Sequence, residues 1–165
     1  DRKGVNELFE SFKIIYNQDN SNRLLIVGKP YFDQFNESLY EQIIDHPGIV
    51  NMGLVPFEDV PYYMTFMDVF VLPAYWEGFG NVLVQAAAMG LPIIATNATG
   101  CKDAVNDNFN GELVEVKNVE QLKDTLIKFR NSPQLRQTYA VNSVEWSKNF
   151  SPEIIWEGMQ KIYTY

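Results

Sequence analysis

Cysteine is almost missing from this chain: Cys101 is the single thiol among 165 residues. One cysteine excludes an intramolecular disulfide framework and suits a reducing compartment. Cations are scarce as well, with 13 Lys and Arg against 21 Asp and Glu, a formal charge of −8. That balance argues against a nucleic-acid or anionic-membrane surface, which needs clustered Lys and Arg. It leaves room for a local phosphate site built from backbone amides and one or two cations. No apolar run approaches the roughly 18 residues of a membrane span, and no stretch reads as a signal peptide. Repeats, low-complexity tracts and long linkers are missing too, and no Asp-x-Asp occurs. Gly28-Lys29-Pro30 lacks the upstream glycine and the Ser or Thr of a P-loop, and Gly78-Phe79-Gly80 has Leu83 where a dinucleotide fingerprint needs its third glycine. What remains is 46% hydrophobic, enough for one core. The expectation is a soluble, acidic, cytoplasmic chain folded as one domain over 1–165.

Apolar spacing then gives the elements. Val5, Leu8, Phe9, Phe12 and Ile15 recur at helical spacing. Arg23 to Val27 reads as a buried strand, Asp33 to Ile44 as a helix, and His46-Pro47-Gly48 as a turn. Ile49 to Leu54 is a strand, and Glu58 to Met67 a short helix with Pro61 in its first turn. Asp68 to Leu72 and Pro92 to Thr96 are strands flanking a helix that begins at Asn81. A short helix is expected near Lys102 to Val105, a strand at Glu112 to Val116, and helices ending near Arg130 and beginning at Pro133. Ser151 caps a last helix that runs to about Tyr163. Strands alternating with helices imply a mostly parallel sheet covered on both faces.

The run from Glu77 to Thr96 carries the chemistry. It places a carboxylate and two glycines in a loop beyond a strand, then a helix that bears Gln85 one turn in. Glycine lets backbone approach a ligand closely. A helix start offers unpaired N–H groups to a phosphate, and ligands of open α/β sheets lie beyond the carboxyl ends of the strands. Glu77-Gly78-Phe79-Gly80-Asn81-Val82-Leu83-Val84-Gln85, followed by Gly90-Leu91-Pro92 and later by Asn110-Gly111-Glu112-Leu113-Val114, resembles the E-x7-E region of retaining family 4 glycosyltransferases with the GT-B fold, of the capsular or lipopolysaccharide type. Arg2-Lys3-Gly4-Val5 resembles the opening of that family's C-terminal domain. The likeness covers nearly the whole chain, in order.

The resemblance implies a Rossmann-like, doubly wound α/β domain that binds a sugar nucleotide, a UDP-sugar first among them, and passes the sugar with retention to a glycan or lipid-linked acceptor. It assigns Glu77 to the donor sugar near the reacting carbon, and Lys3 to the diphosphate. Backbone N–H groups of Phe79, Gly80 and Asn81, in the stretch from Gly78 to Val82, are assigned to sugar hydroxyls or diphosphate, and Gln85 to the ribose. The family has Glu at this last position, and the amide keeps a donor and an acceptor without the charge. Asn97, Thr99, Gly100 and Cys101 fall in a loop beside the donor, with Cys101 as packing and Lys102 as a surface charge. His46 is a loop residue. The missing Asp-x-Asp fits transfer without metal or other cofactor, the leaving diphosphate being stabilised by a helix dipole and cations.

The family also has a strand before Arg2 and an N-terminal acceptor domain, so the chain reads as a fragment with sheet order 3-2-(1)-4-5-6 whose first strand lies elsewhere. Its partners would be the sugar nucleotide, that N-terminal domain and the acceptor, not nucleic acid, and the whole enzyme would sit in the cytoplasm at the inner membrane face. This domain alone would be inactive. A non-catalytic nucleotide-sugar-binding or interaction module, its motif drifted at Gln85, is the alternative.

Overall fold

The apolar stripe of the first segment becomes α1 (Val5–Gln18), which buries Phe9, Phe12 and Ile15 and ends where the Asp19 N–H donates to the Ile15 carbonyl at 3.1 Å. A computed structural model of the chain describes residues 2–28 and 37–163. Strand β1 (Leu24–Ile26) pairs in parallel with β2 (Ile49–Asn51), Leu24 opposite Ile49. Between them runs α2 (Glu37–Ile44). Residues 33–36 of the expected helix, and Lys29 and Pro30, lie outside the described residues. After a 3₁₀ turn at Phe57–Asp59 comes α3 (Val60–Met64), with Pro61 in its first turn, where a missing N–H costs nothing.

Strand β3 (Phe70–Leu72) pairs with β4 (Ile93–Thr96), and β4 with β5 (Gly111–Val114), all parallel. Every residue of β4 is buried, as a strand covered on both faces requires. Helix α4 (Asn81–Ala88) crosses from β3 to β4 and packs on α6 (Pro133–Ser147), while α5 (Val119–Asn131) packs on α1. Ala74, Leu83, Ile93, Ala95 and Cys101 form one side of the core, and Ile94, Val114, Leu122 and Phe129 the other. Helix α7 (Pro152–Tyr163) buries none of its residues and leaves Ile154, Ile155, Trp156 and Ile162 exposed.

Both C-terminal core helices have side-chain caps. The Asn118 carboxamide oxygen accepts from the Gln121 N–H at 3.0 Å, and the Ser132 hydroxyl from the Leu135 N–H at 3.3 Å. Asn118→Ala should therefore lower stability by about 1 kcal/mol, read as a shift of the urea midpoint at constant m. The Arg136 guanidinium closes the other end of α5, donating to the carbonyls of Phe129 at 2.5 Å and Arg130 at 3.0 Å. Those are among the last carbonyls of a helix, which have no partner within it.

One expected element does not form. Residues 101–104 make a succession of turns, Cys101 and Lys102 N–H both donating to Ala98 and Ala104 N–H to Cys101. Three bonds of this kind close the loop without propagating, since a helix needs more consecutive turns to offset its nucleation. The expected strand ends at Ile49, Leu72 and Thr96 are correct, and the others miss by one to three residues. Strands β1 and β3 are not paired with each other. Their facing edges, with residues of α1, α3 and α5, enclose a groove of about 1990 Å³. The order is thus β2-β1, a gap, then β3-β4-β5, and among the described residues no strand lies in the gap.

Candidate functional site

Everything in the site hangs from the carboxyl end of β3. Beyond Leu72 the chain runs through Pro73, Ala74 and Tyr75 to Trp76, and the residues ahead of α1 are laid across it. The Tyr75 N–H donates to the Arg2 carbonyl at 2.9 Å, and the Arg2 guanidinium stacks on Trp76 at 4.5 Å from the ring centroid. Gly4 sits at φ +66°, and a Cβ there would overlap the Pro73 carbonyl. Only glycine combines that left-handed backbone with that approach. The Tyr75 hydroxyl donates to the Glu7 carboxylate at 2.7 Å, and burial together with this bond pushes the phenol up to about 12. This docking delivers Lys3 to Glu77: the ammonium donates to the Glu77 carboxylate across 74 residues of sequence. The Glu77 side chain is 16% exposed and that of Lys3 48%.

The glycine loop is clamped from behind by the loop of Asn97 to Asp103. Glu77 N–H donates to the Thr99 carbonyl at 2.9 Å and Gly80 N–H to the Gly100 carbonyl at 3.0 Å. Gly100 N–H in turn donates to the Asp103 carboxylate at 3.2 Å. The Thr96 hydroxyl donates to the Ala74 carbonyl beneath them. Cys101 is fully buried among Ala74, Leu83 and Ala104, and burial pushes its thiol above the usual range despite a bond to Thr96. It is packing, as its place in the sequence implies. Lys102 is exposed.

The expectation for the backbone donors is narrowed. Gly80 N–H is used by Gly100, and Asn81 N–H turns back to the Phe79 carbonyl at 2.7 Å. Among the described residues, the N–H groups of Gly78, Phe79 and Val82 have no backbone acceptor. Any loop-to-ligand bonds therefore fall to these three. Around the corner, Phe79, Asn81, Val82 and Gln85 line a second, mostly apolar cavity of about 590 Å³, closed by Phe57, Met64, Phe150 and Ile155. Lys3 belongs to the long groove, and Val27, Met67, Phe70 and Val82 line both spaces, so they mark where the two meet. The geometry thus joins Lys3 to Glu77 and collects Phe79, Asn81, Val82 and Gln85 around one cavity.

His46 stands apart, its Nδ1 accepting from the Gly48 N–H at 3.1 Å and its ring packed against Phe9, Phe12 and Tyr16. Sequence reasoning missed two members of the site: Trp76, the platform for Arg2, and Asp103, which ties down Gly100. Neither belongs to a periodic pattern or to a motif.

A carboxylate and an ammonium stand beside an open glycine loop at the carboxyl end of a parallel sheet, the edge at which open α/β sheets bind ligands. Residues 1–146 match the family described as glycosyl transferases group 1, and the chain belongs to that family. It is 35% identical over 163 residues to the capsular polysaccharide biosynthesis glycosyltransferase CapM of Staphylococcus aureus, covering 98% of this chain and 42% of the relative. The chain thus spans about two fifths of the length of such curated relatives.

Among solved structures, the C-terminal domain of the group 1 glycosyl transferase LpcC from Francisella tularensis superposes with a TM-score of 0.79. It is 24% identical and covers 90% of this chain and 79% of that one. Anabaena Alr3699/HepE in complex with UDP and glucose superposes at 0.84, with 20% identity, covering 99% and 45%. The fold is the Rossmann-like half of a GT-B glycosyltransferase. Among the described residues no helix is long and apolar enough to cross a membrane.

Proposed function

We propose that this chain is the donor-binding domain of a retaining glycosyltransferase that takes a sugar nucleotide, a UDP-sugar first, and transfers the sugar to a glycan or lipid-linked acceptor in surface polysaccharide synthesis. The observation that carries this is the Lys3–Glu77 pair beside the open loop at Gly78. Lys3 and the amides of Phe79 and Val82 meet the diphosphate, Glu77 the sugar hydroxyls near the reacting carbon, and Gln85 the ribose. Leaving-group charge is then stabilised by a cation and the start of α4, with no metal or other cofactor.

Acceptor and further contacts come from an N-terminal domain of the same polypeptide, and a further strand of this domain is seated in the groove between β1 and β3. The uncovered apolar face of α7 supports a further domain of this kind. The complete enzyme works in the cytoplasm, at the inner face of the membrane. Transfer assays on the full-length parent with several UDP-sugars, with and without chelator, test this. Sugar should move with retention in the parent and not at all with residues 1–165 alone, because positioning by the second domain supplies much of the barrier reduction. Turnover by the isolated chain would sink the two-domain reading.

A second reading, a non-catalytic nucleotide-sugar-binding module, is favoured by one observation, the amide at Gln85. It predicts UDP binding without transfer in the parent. Both readings put the ribose at Gln85, and a titration of UDP by chemical shift checks this. Gln85→Ala should weaken UDP a few-fold to about tenfold, the worth of one hydrogen bond. Gln85→Glu should tighten it, since charged acceptors bond more strongly. Unchanged affinity in both variants would remove Gln85 from the site.

A further inference from the structure

The groove between β1 and β3 has a distribution of charge that the acidic chain has nowhere else. The sequence holds four arginines, and all four line this groove. Arg23, just before β1, and Arg130 and Arg136, at the junction of α5 and α6, belong to its amino end. Arg2 belongs to its carboxyl end. Among the described residues the ion pairs are all made by lysines, whereas the arginines bond to neutral oxygens. Arg23 donates to the carbonyls of Asn20 and Asn22, both at 2.7 Å, and Arg130 Nε to the Asn131 carboxamide at 3.1 Å.

Arg130 Nη1 is buried with no hydrogen-bond partner among the described residues, a state that a guanidinium leaves when an acceptor is at hand. Two acids are near. Asp68 lines the groove, and the Asp19 carboxyl, held below the usual range chiefly by its bonds to Ser21, owes only its smallest share to Arg130. Three arginines still outnumber them.

The walls say what else fits. Leu24 and Phe70 N–H groups donate to Gly48 and Pro92, into their own sheets. By strand alternation the N–H groups of Leu25, Val27 and Val71 therefore turn towards the groove. Half-buried backbone donors in a row along two strand edges call for an extended backbone opposite them. One face of that backbone would meet Leu8, Phe12 and Phe129, the other Phe66 and Met67. A strand apolar on both faces has no polar side to fix its register, because a slip by one residue exchanges two equivalent sets of side chains. Something at its end has to do so.

We propose that the groove seats a parallel β-strand of the parent polypeptide that is apolar on both faces and carries a carboxylate at its amino end, and that Arg23, Arg130 and Arg136 bind this carboxylate and thereby set the strand's register. This rests on the reading above that a strand from outside this sequence completes the sheet. Its carboxyl end comes beside Arg2 and Lys3, so register here also sets how the Lys3–Glu77 site is framed.

The test appends strands to Asp1 through a linker of about four residues: Val-Ile-Val-Ile-Val headed by Asp-Asp, Asn-Asn or Lys-Lys. Amide exchange at Leu25, Val27 and Val71 is followed together with the oligomeric state. All three amides should become protected, the Asp-Asp version about two- to fivefold more than Asn-Asn and the Lys-Lys version less, the worth of an exposed ion pair. Arg23 is exposed, so Arg23→Glu can be made without disturbing the core. It should restore protection to the Lys-Lys version. Equal protection by all three heads would overturn the arginine clamp and leave the strand standing. No protection by any head in a folded chain would overturn the strand itself. Protection that comes with dimerisation and does not depend on the appended strand would show a second copy in the groove, and would overturn both.

Discussion

Glu77→Ala in the full-length parent should lower kcat by about a hundredfold or more, the usual loss when a preorganised polar group at the reacting centre is removed, while UDP binds at least as well as before. The asymmetry follows from what Glu77 touches. Its carboxylate holds the Lys3 ammonium, and its side chain is mostly covered. In the free chain this pair neutralises the cation proposed to meet the diphosphate, so incoming phosphate competes with a carboxylate for the same ammonium. Removing the carboxylate releases Lys3, and UDP affinity should hold or rise by up to about fivefold, the range of a partly exposed pair. The sugar meanwhile loses its proposed partner near the reacting carbon, and loss of a contact strengthened in the transition state appears in kcat rather than in nucleotide affinity.

Lys3→Ala should do the reverse, weakening UDP and the UDP-sugar alike, because both carry the diphosphate. Initial-rate kinetics on the parent and UDP titrations of both variants decide the matter. A fall in UDP affinity with Glu77→Ala, equal to that of Lys3→Ala, would mean that Glu77 only props up Lys3, and its assignment to the sugar would fail.

Elements with strong periodicity were legible in the sequence. The stripe from Val5 to Ile15 is α1, the Asn81 start of α4 is correct, and the proline and cap signals at Pro133 and Ser151 fall where helices begin. The strands were legible as runs, but of their ends only those at Ile49, Leu72 and Thr96 were, because pairing partners, rather than apolar composition, decide where a strand stops. The turns at 101–104 were read as a helix because Lys102 to Val105 contains nothing that forbids one. What stops it is the commitment of the Thr99 and Gly100 carbonyls to the Glu77 and Gly80 N–H groups of the glycine loop, a tertiary fact.

The site was legible as a set of residue types, since Glu77, the glycines and Gln85 stand in one short run. Its internal bonding was not. Nothing local says that Gly80 and Asn81 spend their N–H groups inside the protein, or that Lys3 closes on Glu77 from the far end of the chain. Nor does composition show that all four arginines gather along one groove, because the −8 average hides it.

Two glycines of the site should respond to alanine in opposite ways. Gly100 has φ +80°, and a Cβ there would overlap the Glu77 carbonyl and crowd the Glu77 Cβ at 2.9 Å. Neither partner is the loose end of a side chain, since one is backbone and the other is fixed to it. Gly100→Ala should therefore lose about 2–4 kcal/mol of stability, combining a left-handed backbone for a non-glycine residue with overpacking. Because the displaced atoms belong to Glu77, transfer should fall in step with the Glu77→Ala variant even where the protein remains folded.

At Gly78 a Cβ would meet nothing within 4 Å, and the backbone there is not left-handed. Packing inside the chain gives no reason for this glycine. The proposed donor, lying close against the backbone, would supply one. Gly78→Ala should thus change stability by no more than about 0.5 kcal/mol, as surface substitutions do, yet weaken donor binding by about tenfold, the effect of a methyl group forced into a filled contact. Urea denaturation of the two variants of this chain, with UDP-sugar titrations of the same pair in the parent, separates the roles. If Gly78→Ala binds the donor as the unaltered protein does, the donor does not lie against this loop, and the site must be sought in the cavity around Gln85 instead.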